Sequence, residues 1–128
     1  MLARLQPMTV VRVAVAAVFL IHGGYRALTG GYVPFGEWLG SIGFPVGIAW
    51  AVAVTAAEVL GAPLLAAGRF VRPLAAYFIL QTALGIWLVH APNGWFVVGA
   101  GRNGMEYSVL LIVLLAAVLL ESRRQARL

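Results

Sequence analysis

The sequence predicts an all-α membrane protein, a four-transmembrane-helix bundle with a short interfacial helix in its first outer loop. Three observations lead there. Four long apolar runs fill almost all of the 128-residue chain. Hydrophobic residues make up 62% of it and charged residues 10%, where a soluble domain carries about 25% charged residues. The mean hydropathy is +0.96. Crossing a hydrocarbon core takes about 20 apolar residues. Four such runs and their connections use up the length as a single domain, 1–128, so any chemistry falls in the bundle, at its mouths or on a partner.

The first span is predicted over 9–28. Arg4 ahead of residues 8–21 resembles a secretory leader, but the run continues through His22 and Arg26 without a small-x-small cleavage pattern, so a retained span is expected. In the connection 29–45, Phe35, Trp38, Leu39 and Ile42 recur at helical spacing, which predicts the interfacial helix, with Tyr32 and Trp38 at headgroup level. Gly36 and Gly40 there form a Gly-x-x-x-Gly in a loop context, which is not read as a helix-dimer signature. The second span covers 46–67. A tight link, Gly68-Arg69-Phe70-Val71-Arg72-Pro73, follows, and Pro73 suits the first turn of the third span, 73–91. A glycine-hinged loop, 92–103, leads to the fourth span, 104–121. Arg4, Arg69, Arg72, Arg123, Arg124 and Arg127 fall on one side, and Arg26 and Arg102 on the other. That asymmetry predicts cytoplasmic N- and C-termini in a bacterial-type plasma (inner) membrane.

Several function classes drop out. The nine basic residues are all Arg, scattered between apolar runs rather than forming a stripe, so the lipid bilayer and not nucleic acid is the expected surface. There is no cysteine, hence no disulfide, thiolate catalysis or thiolate metal site. No histidine spacing fits zinc, and no metal is expected. A bis-histidine haem on His22 and His90 is disfavoured, because Ala91-Pro92 follows His90 directly at the interface.

Ionisable residues nevertheless sit within or at the rim of every span, and within a bilayer they must face a bundle interior or a wet cavity. Arg12 near the cytoplasmic end of the first span and Glu58 near the middle of the second are expected to form a structural ion pair, with a proton relay as the lesser alternative and Gln81 as a further hydrogen-bonding member. A second cluster gathers at the outer mouth. His22 and Arg26 share a helix face, and His90, Asn93, Arg102, Glu106 and Tyr107 lie at the same membrane surface. Imidazoles, a carboxylate and guanidiniums around one mouth can hydrogen-bond a quinone and move protons. His22, His90 and Glu106 are the candidate catalytic residues; Tyr25, Arg26, Asn93, Trp95, Arg102 and Tyr107 are the candidate ligand-binding ones. The competing reading is an ordinary polar rim that satisfies helix ends and loop backbone, with the aromatics as interface anchors.

These residues resemble the DoxX family of small four-span membrane proteins. Arg12 with Val18-Phe19-Leu20-Ile21-His22-Gly23-Gly24-Tyr25-Arg26 is similar to its first span, which ends in His-Gly and a basic residue. Phe35-Gly36-Glu37-Trp38-Leu39-Gly40-Ser41-Ile42-Gly43-Phe44-Pro45 is similar to its short outer helix. Glu58-Val59-Leu60-Gly61-Ala62, the basic link at 68–72, His90-Ala91-Pro92-Asn93-Gly94-Trp95-Phe96 and Gly104-Met105-Glu106-Tyr107 complete the ordered set over about 9–120. The tail departs, with Glu121-Ser122-Arg123-Arg124 where many members have a Gly-Pro-Gly-Arg-Trp-like ending. The resemblance implies a four-helix bundle associated with quinone or redox chemistry.

The function expected is that of a membrane subunit of a quinone-linked redox system, binding quinone at its outer mouth, with the electron donor supplied by a membrane or peripheral redox protein. A non-catalytic scaffold or assembly subunit is the alternative. A small-solute transporter would need a discontinuous span near the midplane, for which Gly61-Ala62-Pro63 is the one hint.

Overall fold

Regular structure in the computed structural model, which describes residues 5–128, is entirely helical. Helix α1 spans Pro7–Thr29, α2 Tyr32–Ser41, α3 Gly47–Ala66, α4 Val71–Asn93 and α5 Glu106–Ala126. Of these, α1, α3 and α4 are each long and apolar enough to cross a membrane. They carry the first three predicted spans with ends within two residues of the expected ones. All but the first two residues of segment 104–121 lie on α5, which has a comparable 21 residues, begins at Glu106 and includes Glu121, Arg123 and Arg124 near its end. A helix also forms where Phe35, Trp38 and Leu39 predicted one. Arg4, assigned to the basic flank of α1, lies outside the described residues.

Neither α3 nor α4 is a uniform α-helix. Residues Ala57–Gly61 of α3 and Ile86–His90 of α4 are π-helical, with Ala91–Asn93 closing α4 as a 3-10 turn. Each π turn ends two residues before a proline, Pro63 and Pro92. Proline has no N–H for the ladder and its ring crowds the carbonyl four residues back, so widening the preceding turn lets the helix continue. The Gly61-Ala62-Pro63 segment is therefore a local widening within a continuous helix, not an unwound break.

Packing divides the chain into two compact units, Ala16–Arg69 and the described part of Met1–Val15 together with Phe70–Leu128. In the first, α2 packs on α3. A Cβ at Gly36 would fall 2.7 Å from the Ile48 Cα, and one at Gly47 would collide with the Gly36 carbonyl oxygen. The Gly36–Gly40 pair therefore acts as a small-residue contact within one chain, joining α2 to the start of α3. The buried non-glycine positions of α3, Ala51, Thr55, Glu58, Ala62 and Leu65, follow alternating steps of four and three. They make one stripe of the helix surface, with a carboxylate at its centre.

In the second unit α4 packs on α5. Buried Ala75, Phe78 and Thr82 on α4, and Ser108, Leu111, Leu115 and Val118 on α5, repeat the same spacing. The two threonine hydroxyls in these stripes bond their own helices: Thr55 donates to the Ala51 carbonyl at 2.8 Å and Thr82 to the Phe78 carbonyl at 2.7 Å.

Candidate functional site

Within Ala16–Arg69 the polar centre is Glu58, on the π turn of α3 and only 2% exposed. A carboxylate taken out of water needs a charged or hydrogen-bonding partner. Arg26 supplies one: its Nη1 donates to Glu58 Oε1 at 2.8 Å and to Thr55 Oγ1 at 3.3 Å. The Thr55 hydrogen is engaged by the Ala51 carbonyl, which leaves its oxygen as an acceptor for Arg26. The guanidinium carbon lies 4.9 Å from the centre of the Phe35 ring, a cation–π contact that ties α2 to the same group. Its side chain keeps 22% exposure, so the pair has one dry end and one wetter end.

Arg26 is thus the guanidinium observed on Glu58, where Arg12 was expected. The reason lies one turn earlier on α1. Gly23 is buried, and a Cβ there would stand 2.5 Å from the Glu58 Cβ. The missing side chain lets α1 come close to α3 at Glu58. Arg26, three residues on, shares that helix face and reaches the carboxylate. Arg12 lies half-buried on the part of α1 that belongs to the other unit. Gln81, expected in the same network, belongs to that unit too, and its side-chain oxygen is buried without a hydrogen-bond partner among the described residues.

Beside the ion pair, Ile21, His22, Tyr25, Arg26, Thr29 and Gly31 line an open groove of about 430 Å³. This lies within the size range of small-molecule sites, roughly 300–1,000 Å³. His22 is exposed, and its Nδ1 stands 2.8 Å from the Val18 carbonyl oxygen. A carbonyl only accepts, so Nδ1 carries a proton and donates it. In the neutral ring Nε2 then holds the lone pair. Tyr25 is exposed at the groove, and the Thr29 hydroxyl donates to the Tyr25 carbonyl at 2.7 Å.

The unit containing Phe70–Leu128 carries the other candidates, and here backbone groups are the main partners. His90, ending the π turn of α4, donates from Nδ1 to the Asn103 carbonyl at 2.9 Å. Asn103 holds the left-handed conformation, φ 57°, which asparagine tolerates better than most residues. Asn93 Nδ2 donates to the Val89 carbonyl at 2.7 Å. Glu106, opening α5, accepts the Val97 N–H at 2.9 Å, while its own N–H donates to the Trp95 carbonyl at 2.9 Å. Gly104 and Met105 donate to the Phe96 and Gly94 carbonyls at 3.1 and 3.0 Å, closing the loop on itself. Trp95, Arg102 and Tyr107 are exposed. Among the described residues no three His, Asp or Glu side chains gather where a metal ion could be held.

Thr55, Phe35 and Gly23 were not singled out from sequence. Thr55 had a signal, lying three residues before Glu58 on one helix face. Gly23 had a weaker one, a glycine beside His22 in an apolar run. Phe35 had none for this role, because its contact with Arg26 depends on how α2 folds back.

Compared with known families, the chain matches the DoxX family model over residues 8–91. No curated protein and no solved structure matches it.

Proposed function

The chain belongs to the DoxX family, and from that premise we propose that it is a membrane subunit of a quinone-linked redox system. It holds the quinone ring in the groove beside Arg26. The observation that carries this reading is the groove lined by His22, Tyr25 and Arg26, set against a part-buried Arg26–Glu58 pair in otherwise apolar helices. Glu58 and Thr55 fix the guanidinium, so a donor stands at the groove wall without having to be ordered when a ligand arrives. His22 adds an imidazole whose Nδ1 is engaged, leaving Nε2 to exchange hydrogen bonds with the ligand. Tyr25 offers an aromatic face. A bound quinone supplies the capacity to carry two electrons and two protons, and a membrane or peripheral redox partner supplies or removes the electrons.

In this reading α5 is a fourth span, α2 lies at the outer interface, and both termini face the cytoplasm of a bacterial-type inner membrane. That orientation rests on the arginines at 69, 72, 123, 124 and 127. A second reading, a non-catalytic scaffold, is favoured for one region by a specific observation: His90, Asn93 and Glu106 each bond the backbone of their own helix or loop.

The test is the quinone content of protein purified in mild detergent, by absorbance and mass spectrometry, alongside circular dichroism. Wild-type protein should retain quinone, His22→Ala should lose most of it while staying helical, and His90→Ala should keep it. Quinone absent from the wild type, or retained in full by His22→Ala, would leave the scaffold reading in place.

A further inference from the structure

Resting on the reading of the groove as a quinone site, we infer that it takes the ring in its reduced, hydroxyl-bearing form, with His22 Nε2 accepting the hydrogen bond of a quinol hydroxyl. The geometry fixes which atoms of the groove donate and which accept. His22 Nδ1 is committed to the Val18 carbonyl at 2.8 Å, so the neutral ring presents a lone pair at Nε2. Arg26 can only donate. Its Nη1 is taken by Glu58 and Thr55; Arg26 lines the groove, and Nε and Nη2 carry its remaining N–H donors.

A ligand oxygen that meets both residues must therefore accept from Arg26 and donate to His22. A hydroxyl does both at once. A quinone carbonyl satisfies Arg26 alone and sets its own lone pairs against that of Nε2. Charge argues against an anionic ligand: Glu58 at 2.8 Å offsets the Arg26 cation, so the wall favours a neutral ring over a quinolate, and the choice between quinol and quinone rests on the hydrogen bonds. The expected preference is that of one net hydrogen bond, about three- to ten-fold.

Two measurements on the full chain in lipid nanodiscs test this. In the first, binding of a short-chain quinol and the matching quinone is compared by calorimetry under anaerobic conditions at neutral pH. The quinol should bind about three- to ten-fold tighter, and His22→Gln, whose amide both donates and accepts, should bind both forms about equally. Equal binding by the wild type, or tighter binding of the quinone, overturns the inference while leaving the groove as a quinone site. Binding of neither form overturns the site itself and the inference with it. In the second, ¹⁵N NMR of ligand-free protein labelled at histidine should show His22 protonated at Nδ1 and bare at Nε2. The opposite tautomer removes the physical basis of the preference.

Discussion

The two units of the chain are built from the same alphabet, a histidine, a glutamate and an asparagine or threonine, and they use it differently. Around Glu58 the carboxylate is buried and meets a guanidinium from another helix, with Thr55 and Phe35 positioning that guanidinium. Around Glu106 the carboxylate is half-exposed and meets a backbone N–H nine residues earlier, inside a loop that closes on itself. The first arrangement joins α1 to α3 beside an open groove. The second holds the loop between α4 and α5. A polar residue in these helices thus has two outlets, a charged side chain on another element or the backbone of its own connection, and the outlet separates a candidate binding site from a structural clasp.

The largest expected effect breaks the first arrangement. Arg26→Gln leaves Glu58 buried without its cation and should destabilise the protein by about 3–5 kcal/mol. Glu58→Gln leaves Arg26, which keeps some exposure, and should cost less, about 1–3 kcal/mol. The double variant should recover much of the loss. Thermal unfolding in detergent through a double-mutant cycle measures the coupling, and strictly additive singles would show that the pair does not interact.

Two neighbouring glycines sharpen the comparison with a smaller effect and opposite signs. Gly23→Ala puts a methyl 2.5 Å from the Glu58 Cβ and should cost about 1–3 kcal/mol through overpacking. Gly24→Ala meets nothing within 4 Å and should stabilise α1 by about 0.5–1 kcal/mol. Melting temperatures moving in the same direction for both would contradict the close approach of α1 to α3 at Gly23.

The smallest effect belongs to the loop. Glu106→Gln keeps an acceptor for the Val97 N–H and should leave stability within about 0.5 kcal/mol of wild type, whereas Glu106→Ala should release the loop at about 1 kcal/mol. Hydrogen exchange read at the Val97, Gly104 and Glu106 amides checks this. Faster exchange at those amides in Glu106→Ala, with exchange in α3 unchanged, is the expected result. A global change in exchange would mean that Glu106 supports more than its own loop.

By itself the sequence determined what depends on local composition and period. Apolar runs of about twenty residues located α1, α3 and α4 to within two residues, because helix length in a membrane is set by hydrophobicity and proline punctuation. The helical spacing of Phe35, Trp38 and Leu39 located α2, and the His22–Arg26 pair on one face of α1 follows from helical geometry alone. What only the tertiary structure decided is which polar groups meet. Arg12 and Arg26 are equally charged and both lie on α1, and no local rule ranks them as partners for Glu58. The choice falls to Arg26 because Gly23 lets α1 approach α3 one turn away, a property of two surfaces in contact. The π turns before Pro63 and Pro92 belong to the same class. Proline announces a disturbance in sequence, but whether the helix breaks, kinks or widens depends on what packs around it. The carbonyls that fix the histidines differ in the same way. Val18 lies four residues from His22, within reach of helical reasoning, while Asn103 lies thirteen residues from His90 and is reached only when the loop has folded.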